Sequence, residues 1–372
     1  MAREADGASP SAYGRIAVLE LDPLGHRLRY VRLLLTAAPD AGLPLLLVPA
    51  AVRSSPEFAE HLADVAAEVV EVPGDRSAAV RAAVATAAAA GARLVVPDGD
   101  KNVAPLLVAL ARAGRAARPG VSLLLMRTVL PGGSERTTPG MAVKPPLAAL
   151  LARLPGVRVR FLTDAFGVVV RRRGFPGIEP VRDPVAVPDD GPRAPRDPDA
   201  PFRLGVFGVI SARKNVPLLL AALERVPDVH LVLAGRCDAD VAAALTASSL
   251  SAQGRLHVDD RLLSEAEFDA AIAGVDAVAV LHDNDAPSGI VAEAAARGVP
   301  VLGPARGWAS SMVTGTGIGE VAEVSGPDAV DGVADAVRRL RAAHPRRATA
   351  ARRARARLGT EDFVRGLLGD VL

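Results

Sequence analysis

The residue types best suited to chemistry gather in the second half of the chain. Lys214 is one of three lysines among 44 basic residues, the others being Lys101 and Lys144. It follows Arg213 at the expected start of a helix, Lys214–Glu224, just after the apolar run Phe202–Phe207 and Gly208. The helix dipole disfavours cations at a helix start, so a bound anion is an economical explanation for the pair. An exposed helix-start cation is the plainer one. Downstream, a strand over Ala277–Leu281 runs into His282, Asp283, Asn284 and Asp285, then Pro287, and a helix over Ser288–Arg297. That order presents the backbone N–H groups of Ser288, Gly289 and Ile290 at a helix N-terminus, which suits a pyrophosphate. Glu293 could take the two hydroxyls of a ribose diol, since a carboxylate accepts several hydrogen bonds. Asp285 would then face whatever lies beyond the phosphates. Capping by Asp285 and a surface role for Glu293 are the plainer alternatives.

These groups need strands to hold them. In the first half, short apolar runs occur at Arg15–Leu21, Leu43–Pro49, Val69–Val72, Arg93–Pro97, Val121–Arg127 and Val157–Leu162. Most are separated by Ala-, Leu- and Arg-rich helical stretches such as Arg27–Ala41 and Arg76–Ala90. Continuous apolar strands divided by helices predict a parallel sheet covered on both faces. Residues 183–201 then hold six prolines and five aspartates, a composition that reads as an interdomain linker. Beyond it the alternation restarts, with strands expected at Phe202–Phe207, Val229–Ala234, Leu256–Val258, Ala277–Leu281 and Val299–Leu302. The prediction is α/β, with a tail at 1–13 and doubly wound domains at 14–182 and 202–345. A terminal helix at 346–372 is expected to pack back on the first domain.

Open α/β sheets bind ligands at the carboxyl ends of their strands. The first-domain candidates on that edge are Gly25 and His26 after the first strand, Asp98, Asp100 and Lys101 after the fourth, and Arg127 after the fifth. Asp100 as a cap for a helix opening at Lys101 is the plainer reading of that residue. His282 stands at the matching edge of the second domain. Lys144 has no evident role.

Composition narrows the class. The net charge is +2, with no concentrated nucleic-acid footprint. One cysteine, Cys237, excludes an internal disulfide framework, and six scattered histidines show no ligand spacing. Residues 1–13 lack the apolar run of a signal peptide. The most apolar stretch, 43–52, is far shorter than the ~20 residues of a spanning helix. The chain is expected to be cytoplasmic. Nine arginines between Arg338 and Arg357 suggest either a solvated helix face at the domain junction or contact with an anionic membrane surface.

Asp285 and Glu293, followed by Gly298-Val299-Pro300-Val301, resemble the Glu-x7-Glu signature of the retaining glycosyltransferases of family 4, which have the GT-B fold. Val206 to Asn215 looks like that family's strand–loop–helix stretch, in which a lysine binds the donor diphosphate. Leu231 to Gly235 is similar to its next strand and turn, and Gly254–Leu263 to the loop that brackets the nucleobase. Leu21 to Arg27 sits where the family has a glycine-rich loop. The resemblance spans about residues 14–372 and is sharp between 202 and 322. Three positions depart from the pattern: Asp285 replaces Glu, Val209 stands where an arginine is common, and the first loop has the single glycine Gly25.

The resemblance implies transfer of a sugar from a nucleotide-diphosphate sugar, with anomeric retention and no metal or other cofactor. Asp285, Lys214 and Arg213 would be catalytic. Glu293, Ser288, Gly289, Ile290, Gly208, Val258 and Leu262 would bind the donor. The leaving phosphate would take the acceptor proton, so no protein base is required. The acceptor would be a sugar, a lipid-linked sugar or a small molecule. Two alternatives stay open: a non-catalytic nucleotide-sugar-binding subunit, motivated by the departures at Asp285 and Val209, and an epimerase or hydrolase of the same architecture. A dinucleotide-dependent oxidoreductase is disfavoured, because no Gly-x-Gly-x-x-Gly follows either first strand.

Overall fold

The computed structural model describes residues 14–23, 27–38, 42–115, 117–126, 139–168, 177–188, 200–282 and 289–369. Its strands are β1 (Arg15–Leu19), β2 (Leu45–Val48), β3 (Glu68–Glu71), β4 (Ala92–Val96), β5 (Val121–Leu125), β6 (Val157–Thr163) and β7 (Ile178–Arg182) in the first half. In the second half they are β8 (Phe202–Phe207), β9 (Val229–Ala234), β10 (Leu256–Asp259), β11 (Ala277–Ala279), β12 (Val301–Pro304) and β13 (Gly319–Ala322). The α-helices run α1 (Arg27–Thr36), α2 (Ala50–Arg53), α3 (Pro56–Leu62), α4 (Arg76–Ala89), α5 (Val103–Ala113) and α6 (Pro139–Ala152). They continue as α7 (Val216–Glu224), α8 (Ala239–Thr246), α9 (Ser249–Ala252), α10 (Glu265–Ala273), α11 (Gly289–Ala296), α12 (Gly307–Thr316), α13 (Ala329–Ala342), α14 (His344–Arg355) and α15 (Glu361–Leu368).

Two parallel sheets result, in the orders β3-β2-β1-β4-β5-β6-β7 and β10-β9-β8-β11-β12-β13. β2, β4 and β5 are buried at every position, as strands covered on both faces must be. Leucine, valine and alanine fill both cores, in keeping with an aromatic content of 3%. In each sheet the strand order reverses once, between β1 and β4 and between β8 and β11. Crevices for ligands open at such switch points, so the topology alone directs attention to the loops after these four strands.

Several expectations change. β7 and β13 were not foreseen. β7 carries Pro180, which an edge strand tolerates because one of its sides needs no ladder donor. The helix expected from Lys214 begins at Val216 instead. Lys214 lies in a preceding 3-10 turn, Ala212–Lys214, and Asn215 separates the two in the left-handed conformation at φ 52°. Asp100 caps no helix, since α5 opens after Asn102; it pairs with Lys144 at 2.6 Å, which gives that lysine its role. The linker is not all solvent-borne: Val185 is 2% exposed and packs with Ala165, Phe166 and residues of the second domain.

The tail is two helices with different hosts. Ala351 and Ala354 of α14 join the apolar cluster of α11 and α12 in the second domain. α15 crosses back and buries Phe363, Val364, Leu367 and Leu368 among α1 residues of the first, with the Phe363 ring 4.9 Å from that of Tyr30. Six of the nine tail arginines bond to carboxylates or carbonyls elsewhere on the protein. Arg338, Arg339, Arg341 and Arg347 reach the second domain, Arg355 the Pro188 carbonyl, and Arg357 the Phe166 carbonyl. No helix of the described residues is long and apolar enough to cross a membrane.

Candidate functional site

At the second switch point, β8 is followed by Gly208, whose φ is 79°. A side chain at Gly235 would collide with the Gly208 carbonyl, its Cβ coming within 2.2 Å, so the turns after β8 and β9 touch backbone to backbone. This pairing leaves Lys214 beneath the Gly208 turn. Its ammonium donates to the Phe207 carbonyl, and the residue is only 8% exposed. Among the described residues no carboxylate pairs with it. Burial, with a smaller push from the Arg213 guanidinium, lowers its pKa to about 8. Asn215 donates to the Leu281 carbonyl at 2.8 Å and ties this turn to the end of β11.

His282 follows β11. Burial and the nearby charges of Lys214 and Arg213 lower its pKa to about 4, so the imidazole is neutral at pH 7. Cys237 is no nucleophile: burial and the aspartates at 260 and 238 push its thiol up to about 11. The crevice at β8 and β11 therefore holds positive charge from Lys214 and Arg213 and a neutral histidine. Gly289 and Ile290 form the first turn of α11 beside it. Val209, Val258 and Leu262 are three of the six large apolar residues that stand exposed among the described residues, and all three lie near the ends of β8 and β10. Asp285 and Ser288 lie outside the described residues.

Glu293 is not a surface residue. It is buried on α11, and both of its oxygens are engaged. Oε2 meets Arg297, one turn on, at 2.8 Å. Oε1 meets Arg29 of α1, from the first domain, also at 2.8 Å.

The first switch point is polar too. Asp98, after β4, accepts from the Arg27 Nε at 2.7 Å, and Arg27 also reaches Asp22 at 3.2 Å. Asn102 holds the Asp98 carbonyl at 2.7 Å and in turn accepts from Arg76. Gly99 is required here, since a Cβ would fall 2.6 Å from the Leu124 carbonyl. Gly25, His26 and Arg127 lie outside the described residues, and Lys101 is exposed. Sequence reasoning missed Glu20 at the end of β1. Its Oε1 accepts from the backbone N–H groups of Leu21 and Asp22 at 2.8 and 3.0 Å. Its Oε2 is buried with no hydrogen-bond partner among the described residues. Burial, aided by Asp98, raises its pKa to about 8. The one signal was an acidic residue ending an otherwise apolar strand. No group of three or more His, Cys, Asp or Glu side chains suited to a metal occurs among the described residues.

No family model matches the chain, and no curated protein does. Solved structures do match over nearly the whole length. HepE of Anabaena in complex with UDP superposes with a TM-score of 0.66 at 17% identity, covering 94% of this chain and 95% of that one. A glycosyltransferase from Rickettsia africae gives 0.66 at 10% identity, covering 96% and 97%. The fold is GT-B. Sucrose-phosphate synthase from Thermosynechococcus elongatus follows at 0.63 and 15% identity, covering 94% and 96%. At such identities the likeness is one of GT-B architecture, two Rossmann-like domains facing a cleft, and the chemistry rests on the residues above.

Proposed function

We propose that the chain is a glycosyltransferase that moves a sugar from a nucleotide-diphosphate sugar to a hydroxyl acceptor. The observation that carries this reading is Lys214: a buried ammonium at the second switch point, answered among the described residues by one backbone carbonyl. A buried cation without a counter-charge is costly, and an incoming diphosphate removes that cost. HepE, of the same fold, was solved with UDP and with UDP-glucose, in keeping with such a donor.

In this reading Lys214, Arg213 and the first turn of α11 (Gly289, Ile290, with Ser288 before it) stabilise the charge on the leaving diphosphate. Gly208 lets the backbone approach the phosphates, and Val209, Val258 and Leu262 offer apolar surface to the base. Glu293 takes the ribose and Asp285 the sugar. Neutral His282 faces the sugar as a hydrogen-bonding group. The acceptor lies at the first switch point, near Asp98, Arg27 and Glu20. We assign the chain to retaining family 4, without metal, with the leaving phosphate taking the acceptor proton on the same face of the sugar. The sequence signature around Asp285 and Glu293 supports that assignment.

The test is thermal stabilisation by nucleoside diphosphates and nucleotide sugars, followed by donor turnover in a chelating buffer and the anomeric configuration of the product. No stabilisation by any nucleotide would falsify the reading. Binding without turnover on a broad acceptor panel would instead favour a nucleotide-sugar-binding subunit. Glu293→Gln is expected to weaken nucleoside diphosphate binding by about tenfold, as for a lost charged hydrogen bond, and to leave inorganic pyrophosphate binding unchanged. Isothermal titration with both ligands checks this; equal losses for the two would place Glu293 away from the ribose.

A further inference from the structure

The contact between Arg29 and Glu293 crosses the cleft. Arg29 belongs to the first turn of α1 in the first domain, and Glu293 to α11 in the second. The Arg29 side chain retains 23% of its exposure and the Glu293 side chain 7%, so the pair is largely withdrawn from water. A second, looser contact follows the same line: the Arg29 Nε lies 4.0 Å from Glu265 of α10, which is 3.9 Å from His61 of α3. One domain thus presents Arg29 and His61 across the cleft, and the other carboxylates.

Glu293 does not depend on Arg29 alone for a partner. Arg297, on the same helix, already pairs with Oε2 at 2.8 Å and donates to the Glu293 carbonyl at 2.7 Å. Asp269 holds the far side of Arg297. The second domain therefore engages one oxygen of its own buried carboxylate, and Arg29 takes the other. Arg29 has its own reason to do so, because a cation in the first turn of a helix is opposed by the helix dipole and gains from an anion.

We propose that Arg29 sets donor affinity by competing for Glu293: with the cleft empty its guanidinium occupies Oε1, and a ribose hydroxyl must displace it to bind. This rests on the donor-site reading given above and adds a first-domain residue to it. Domain closure through Arg29 and binding of ribose at Oε1 exclude one another, so the ligand pays a fixed toll for entry.

The test is Arg29→Met, which keeps the apolar stem and leaves Glu293 paired with Arg297. UDP, GDP, ADP and inorganic pyrophosphate are titrated calorimetrically into the full-length wild type and variant. The variant is expected to bind the preferred nucleoside diphosphate about fivefold tighter or more, within the usual span of coupling between contacts. Pyrophosphate, which has no ribose, is expected to bind equally or more weakly once a positive charge is gone. Nucleotide affinity in the variant equal to or below the wild type overturns the inference while leaving the donor site intact. An equal gain for pyrophosphate also overturns it, since competition at the ribose predicts no such gain. If no nucleotide binds either protein, the donor-site reading itself falls, and this inference with it.

Discussion

Lys214→Met is expected to cut donor turnover by about 100-fold or more while leaving the fold as stable as before, or more so. The charge of Lys214 is held in the folded state against its environment: burial lowers its pKa from 10.5 to about 8. At one pH unit per ~1.4 kcal/mol, charging it costs the fold about 3 kcal/mol at neutral pH. Methionine has similar length and no such cost. The Phe207 carbonyl would lose its partner, at ~1–3 kcal/mol, so the two terms nearly offset. The loss of function has no such offset, because a preorganised charge aimed at a leaving phosphate is worth several kcal/mol in the transition state. Urea unfolding and donor turnover measured on the same preparations check both halves. A variant that keeps a tenth of the activity, or one that fails to fold, sinks the assignment. The sign with pH follows from the same shift. Between about 8 and 10.5 the unfolded chain holds a proton that the folded one has released, so this residue's penalty fades as pH rises through that window. Nucleotide affinity runs the other way. It is fullest below about pH 8 and falls above it, and binding near pH 8 takes up protons, which calorimetry in buffers of different ionisation enthalpy reads directly.

The second large effect concerns Glu20. Its pKa rises from 4.5 to about 8 in the folded protein, chiefly through burial and then through Asp98. Over that interval the folded state keeps a proton that the unfolded state gives up, so stability falls as pH rises. The full penalty is present above about pH 8 and absent below the ordinary glutamate value. Its upper bound is roughly 5 kcal/mol by the same conversion. Glu20→Gln keeps an oxygen for the Leu21 and Asp22 amides and never ionises. Urea unfolding of both proteins at pH 5, 7 and 8.5 should therefore give profiles that diverge, with the glutamine variant ahead at pH 8.5 by several kcal/mol and near parity at pH 5. Parallel profiles would show that Glu20 is an ordinary carboxylate. The comparison of the two proteins cancels the titrating groups that are not coupled to Glu20, which is why the difference is the quantity to read.

The local parts of this architecture were readable in the chain. Short apolar runs such as Val121–Leu125, bounded by Gly120 and flanked by helix-forming stretches, announce buried parallel strands by their length and punctuation. Lys214 stood out because lysine is rare here, and the structure gives it a buried charge that no carboxylate opposes among the described residues. What was not legible depends on distant partners. β7 has a proline and no regular alternation of buried and exposed residues, and only its pairing with β6 makes it a strand. Glu293 reads as a ribose ligand, but its contact with Arg29, 264 residues earlier in the chain, is invisible until the two domains are placed together. Glu20 became a site residue only when β4 brought Asp98 alongside β1. The composition of residues 183–201 reads as a linker, but Val185 is buried and its N–H finds the Gly359 carbonyl, a partner from the far end of the chain.

α15 carries a consequence for biosynthesis. The first domain's apolar cluster includes Phe363, Val364, Leu367 and Leu368, which leave the ribosome after the entire second domain has been made. Until then the faces of Tyr30, Leu34 and Leu162 that these residues cover stay open to water and to other chains. The amino-terminal half must wait, unfinished, for its last helix. A nascent chain stalled near residue 345 would hold a complete second sheet beside an incomplete first domain.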